Sequence, residues 1–124
     1  MTKILLIEDE EQHIALVRIR LESKGFEVAA ARSGREGAEA AASQKPDLIL
    51  LDFMLPDMGP EKAIRAIRAA PGAAKTPIVA FTALDRKDIE RRKLSGELAG
   101  MVPKPYEAEE LLEEIERITK NRIL

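Results

Sequence analysis

The chain contains no cysteine and no tryptophan, and has one histidine, one tyrosine and three phenylalanines. Lack of cysteine excludes disulfides, thiolate metal sites and a thiol nucleophile, and fits a reducing cytoplasm. So few aromatics leave no base-stacking platform of the kind single-stranded nucleic acids use. The formal net charge of −2 lacks the basic excess of a general nucleic-acid binder. Arg91, Arg92 and Lys93 do cluster, but Asp85, Asp88 and Glu90 lie just upstream, which makes a solvated helix face. No apolar run approaches the ~20 residues of a membrane span. Met1-Thr2-Lys3, followed by a short apolar run, is not a signal peptide. These absences predict a soluble, cytoplasmic protein starting at its natural N-terminus, with no direct nucleic-acid partner and no membrane insertion.

What is present is regular. At 124 residues the chain has the length of one domain, and residues 1–124 are read as such. A domain of this size buries enough apolar surface to fold without staples. Lys3–Ile7 reads as a buried strand, and Glu10–Lys24 as a helix with Ile14, Val17 and Leu21 on one stripe. Gly25 suits the helix end. Phe26–Ala30 is a weaker strand at or near an edge, and Ser33 or Gly34 opens an alanine-rich helix to about Ser43. Leu48–Leu51 is a continuous apolar run typical of a central parallel strand. A loop over 52–59 leads to Pro60 in the first turn of a helix facing inward with Ala63, Ile64 and Ile67. Pro77–Phe81, Asp85–Leu94, Gly100–Val102 and Glu107–Lys120 complete the pattern as strand, helix, strand and helix. Five strands alternating with five helices predict an α/β fold, a doubly wound parallel sheet with helices on both faces.

Ligands of such sheets bind beyond the carboxyl ends of the strands. There the sequence places Glu8 and Asp9 after the first strand, Asp52 after the third, Thr82 after the fourth and Lys104 after the fifth. Each has an ordinary explanation alone: the two acids as helix caps, Asp52 as a turn residue, Thr82 as a strand end, Lys104 as a surface charge. That reading weakens when all five must coincide at one edge. Carboxylates held together repel and raise one another's pKa unless a cation intervenes. Mg²⁺ suits an oxygen donor set of this kind and retains coordination positions for a phosphoryl oxygen. Lys104 supplies further positive charge, Thr82 a hydroxyl donor, and Asp52 a carboxylate nucleophile. The residues by themselves therefore reach a phosphate-handling Mg²⁺ site.

At these residues the chain resembles the receiver domains of bacterial response regulators. The resemblance runs through Ile4-Leu5-Leu6-Ile7-Glu8-Asp9-Glu10, Pro46-Asp47-Leu48-Ile49-Leu50-Leu51-Asp52, Met54-Leu55-Pro56-Asp57-Met58, Thr82-Ala83 and Lys104-Pro105, and covers essentially the whole chain. It implies a flavodoxin-like strand order 2-1-3-4-5, and Asp52 as acceptor of a phosphoryl group from a histidine kinase or histidine phosphotransfer protein. It implies Asp9 as a direct Mg²⁺ ligand, Glu8 nearby or acting through water, and the Met54 backbone carbonyl as a further ligand. Thr82 would be the switch hydroxyl, Lys104 the phosphate-sensing amine, and Lys104-Pro105 a candidate cis peptide. A downstream effector protein is implied, and a homodimer through the fourth and fifth helical region is compatible.

The chain departs from the family at Met101, where most members carry an aromatic that reports phosphorylation. A thioether repacks readily but moves no hydroxyl. A degenerate receiver acting as a phosphorylation-independent interaction module is the alternative this residue favours. A Mg²⁺-dependent phosphatase is disfavoured, because the position two beyond Asp52 is Met54, not a second acid. Tyr106 is read as packing, Pro103 has no ready explanation, and His13 is read as an exposed polar residue near a helix start. Gly34-Arg35-Glu36-Gly37 lacks the lysine and spacing of a phosphate loop and is read as a helix start.

Overall fold

A computed structural model of the chain describes residues 2–123. Met1 and Leu124, the ends of the expected domain, lie outside the described residues. The elements alternate as β1 (Lys3–Ile7), α1 (Glu11–Glu22), β2 (Glu27–Ala31), α2 (Gly34–Ser43), β3 (Leu48–Asp52), α3 (Pro60–Ala69), β4 (Ile78–Thr82), α4 (Arg86–Arg91), β5 (Gly100–Pro103) and α5 (Ala108–Ile123). Every strand pairing is parallel and the sheet order is β2-β1-β3-β4-β5. This is the flavodoxin-like order, with five helices. Among the described residues no helix is long and apolar enough to cross a membrane.

Strand alternation splits the core into two layers. Leu5, Ile7, Ile49, Leu51, Ile78 and Ala80 face one side, where Ala41 of α2, Ala63, Ile64 and Ile67 of α3, and Ile89 of α4 cover them. Ile4, Leu6, Leu48, Leu50, Val79 and Phe81 face the other, under Ile14, Val17 and Leu21 of α1 and Leu111, Ile115 and Ile118 of α5. Burial on both faces explains why β3 reads as an unbroken apolar run. β2 lies at an edge, as its weaker pattern suggested, and is shifted one residue from the expected bounds.

Local chemistry sets the boundaries. Gly25 adopts φ +90 after α1, a left-handed conformation that glycine takes without a Cβ penalty. The Ser33 hydroxyl accepts from Glu36 N–H at 3.1 Å and caps α2. The fourth helix is shorter than the expected 85–94 span. Lys93 turns left-handed at φ +61, and the Lys93 and Leu94 amides donate back to Glu90 and Ile89 carbonyls. This closes α4 as a Schellman end without glycine, so the sequence carries no stop signal there. A single 3₁₀ turn, Ser95–Glu97, then leads towards β5.

Pro103, unexplained from sequence, is the last residue of edge strand β5. The next amide, Lys104 N–H, turns inward to Thr82 O at 2.9 Å, so the amide missing at Pro103 falls on the open edge.

Gly37 marks the close approach of α2 to the sheet. A Cβ there would stand 2.5 Å from the Ile7 side chain, which is fully buried. Gly37→Val is expected to destabilise the fold by about 1–3 kcal/mol through overpacking. Urea unfolding checks this as a lower midpoint with unchanged slope.

Candidate functional site

Parallel strands end on a common edge, and the ladder extends one step past β1. Glu8 N–H donates to Ala31 O at 2.9 Å, which draws Glu8 into the sheet until it is 1% exposed. Asp52 and Thr82, expected just beyond their strands, are instead the last residues of β3 and β4. The reason is the neighbouring backbone: Phe53 N–H reaches Phe81 O at 3.2 Å, and Lys104 N–H reaches Thr82 O. Both residues are buried, on rigid backbone. The loop after β3 is held as well, because the Asp57 carboxylate accepts from the Gly34 and Arg35 amides at the start of α2.

The structure brings the three expected acids together. One carboxylate oxygen from each of Glu8, Asp9 and Asp52 lies within 4.8 Å of the others. Lys104 Nζ donates to Asp52 Oδ2 at 3.2 Å and to Glu8 Oε1 at 3.5 Å. Met54 N–H donates to Asp52 Oδ1 at 2.9 Å, and Asp9 N–H to Glu8 Oε2 at 3.1 Å. Thr82 Oγ1 accepts from Leu84 N–H at 3.0 Å, a bond that leaves its own proton unused. The peptide bond between Lys104 and Pro105 is cis.

Electrostatics separates the two buried acids. Burial pushes the Asp52 carboxyl up to about 6, with a contribution from Glu8, against the pull of Met54 N–H and Lys104. Burial also acts to raise Glu8, but hydrogen bonds from His13 and Asp52 and the charge of Lys104 outweigh it and hold Glu8 at about 2. The group thus carries three acids against one ammonium. A cation with oxygen ligands at ~2.0–2.6 Å fits this spacing and charge deficit. Glu8, Asp9 and Asp52 have the donor chemistry that Mg²⁺ requires.

His13 corrects the sequence reading. It is not an exposed helix-start residue: its side chain is 14% exposed, and Nδ1 is hydrogen-bonded to Glu8 Oε1. Nε2 lies 2.7 Å from the Tyr106 hydroxyl. Its place in the first turn of α1, just after Glu8 and Asp9, was the available clue, but that position alone does not tell an inward from an outward side chain. Tyr106 does pack, against Phe81 with ring centroids 5.2 Å apart, and it also makes this polar contact. Met101 is half-buried and lies against the layer under α2, α3 and α4.

The family model for the response regulator receiver domain matches residues 4–116. The chain belongs to the response regulator receiver family. It is 32% identical to the phosphate regulon regulatory protein PhoB of Rhizobium meliloti, over 97% of this chain and 53% of that protein. It is 31% identical to the polar-differentiation response regulator DivK of Brucella ovis, over 93% of this chain and 94% of that protein. The chain therefore spans about half the length of PhoB but nearly all of DivK. Among solved structures, Vibrio cholerae chemotaxis protein CheY4 superposes with a TM-score of 0.86 at 27% identity, covering 95% of this chain and 98% of that one. The receiver domain of a Pseudomonas aeruginosa sensor histidine kinase, solved with magnesium in its active-site cleft, gives 0.84 at 29% identity over 95% and 98%. Receiver domains belong to two-component signalling, bind Mg²⁺ in an acidic pocket and are not conventional enzymes.

The receiver's acid cluster has a consequence for stability. Asp52 is raised from 3.8 to about 6 in the fold, so its favourable contribution is complete below pH 3.8 and is lost as pH rises through 6. Above that, ionised Asp52 weighs against the folded state. Asp52→Asn should therefore stabilise the metal-free protein above pH 6 by about 1–2 kcal/mol, and less at pH 4. Thermal melts in chelator at the two pH values check the difference.

Proposed function

We propose that this receiver accepts a phosphoryl group on Asp52 from the phosphohistidine of a histidine kinase or phosphotransfer protein, and thereby switches its binding of a downstream effector protein. The observation that carries this reading is the placement of buried Asp52 between two further acids and Lys104 at the carboxyl edge of the sheet. Ionised Asp52, the majority form at neutral pH given its value of about 6, attacks phosphorus with a carboxylate oxygen. The phosphorus–nitrogen bond of the donor breaks, and the leaving imidazole takes up a proton.

Glu8, Asp9, Asp52 and the Met54 backbone carbonyl would hold Mg²⁺. When bound, the ion neutralises charge on the transferring phosphoryl oxygens. Lys104 Nζ, already on Asp52, supplies the remaining positive charge, and the Thr82 hydroxyl donates to a phosphoryl oxygen. The product shifts an equilibrium between inactive and active arrangements. Slow transfer from small donors and slow self-dephosphorylation accompany this role. Residues 1–124 are proposed to act as one receiver domain, in the cytoplasm.

A phosphorylation-independent interaction module is the second reading, favoured by Met101 alone. The two separate by intact mass after incubation with acetyl phosphate, with and without Mg²⁺. One added phosphoryl group in the wild type only, dependent on Mg²⁺ and absent in Asp52→Asn, is the expected result. No gain in any sample, repeated with a phosphohistidine donor, overturns the acceptor role and leaves the interaction module.

A further inference from the structure

His13 and Tyr106 take no part in the phosphoryl chemistry above, yet they are built into the wall of the site. His13 spans two partners, Glu8 at Nδ1 and the Tyr106 hydroxyl at Nε2. Both rings rest on Phe81, His13 edge-on with centroids 5.4 Å apart and Tyr106 tilted at 5.2 Å. In the neutral ring, Nδ1–H donates to the Glu8 carboxylate and Nε2 accepts from the Tyr106 O–H. The carboxylate at one end thus fixes the tautomer in the middle and the hydroxyl direction at the other. Burial raises the Tyr106 phenol further above its ordinary value, so it remains a proton donor at neutral pH. This path runs from a carboxylate that is 1% exposed to a ring lining an open groove with Leu16, Arg20 and Pro105.

The side of the sheet matters. Met101 lies with the layer under α2, α3 and α4, while Phe81 and Tyr106 lie with the layer under α1 and α5. Tyr106 therefore does not stand in for an aromatic at position 101. It offers a separate polar route out of the site, on the opposite face.

We propose that His13 is a positioning residue that couples cation occupancy of the acidic site to the state of Tyr106. The proposal rests on the reading of Glu8, Asp9 and Asp52 as a Mg²⁺ site. Glu8 Oε1 already accepts from both His13 and Lys104. Charge drawn from this oxygen by a cation weakens its bond to Nδ1–H, loosens the ring, and releases the Tyr106 hydroxyl from an oriented acceptor. Linkage makes the effect reciprocal: removing the His13 donor leaves a buried carboxylate less satisfied and the cation more strongly held.

The chain supplies its own probe, because Tyr106 is its single tyrosine and there is no tryptophan. Metal-free protein is titrated with MgCl₂ while tyrosine emission and calorimetric heat are recorded on matched samples. In the wild type the emission change and the heat are expected to share one midpoint. His13→Leu is expected to bind Mg²⁺ about fivefold or more tighter, within the usual range of such couplings, with the emission change lost. His13→Asn places an amide donor towards Glu8 without reaching Tyr106, and should keep near-wild-type affinity while losing the emission change. It also serves if the leucine variant does not fold. Calorimetric binding without any emission change in the wild type, or an undiminished change in both variants, overturns the coupling alone. Absence of calorimetric binding in the wild type overturns the metal-site reading and the coupling with it.

Discussion

Glu8 and Asp52 are two buried carboxylates sharing one ammonium, Lys104, and this imbalance organises the carboxyl edge of the sheet. Burying a charge is costly unless it is paired and hydrogen-bonded. The fold meets that cost with donors from several elements: the Met54 amide on Asp52, and the Asp9 amide and His13 ring on Glu8. Among the described residues no buried side-chain nitrogen or oxygen lacks a partner. Even so, burial first and the Glu8 carboxylate second keep Asp52 well above the ordinary carboxylate range, and three acids at this edge face one ammonium. A site left in that condition is primed for a cation, and the rest of the sheet holds it rigid.

That rigidity follows from the strand order. β1, β3 and β4 are interior strands, buried on both faces, and each delivers a site residue from its end. Lys104 comes from the edge strand β5, where the missing amide of Pro103 disturbs no pairing. Strand alternation then assigns a direction to each polar group. The face under α1 and α5 receives His13, Phe81 and Tyr106, and the face under α4 receives Met101. Two sides of one site thus differ in chemistry, one aromatic and polar, the other thioether and apolar.

Much of this was legible in the chain. Alternating apolar runs and helical stripes predict the α/β class because burial on two sheet faces demands them, and Lys3–Ile7 and the span of α2 match their expected bounds. The ends of the other strands moved by one residue, since the last ladder bond depends on the neighbouring strand. The Phe81 carbonyl and the Lys104 amide, distant in sequence, extend order through Asp52 and Thr82. The early end of α4 was invisible because Lys93, and not a glycine, takes the left-handed turn.

By itself the sequence determined the composition of the sheet's carboxyl edge: Glu8, Asp9, Asp52, Thr82 and Lys104 fall at strand ends wherever the five apolar runs form one parallel sheet. Residue type and local periodicity suffice for that. Only the tertiary structure decided that His13 turns inward and bridges Glu8 to Tyr106, which lies 93 positions beyond His13 in the chain. It also decided that Tyr106 and Met101 lie on opposite faces. A side chain's direction depends on what packs above it, and α1 meets the loop after β5 only once the sheet has been assembled.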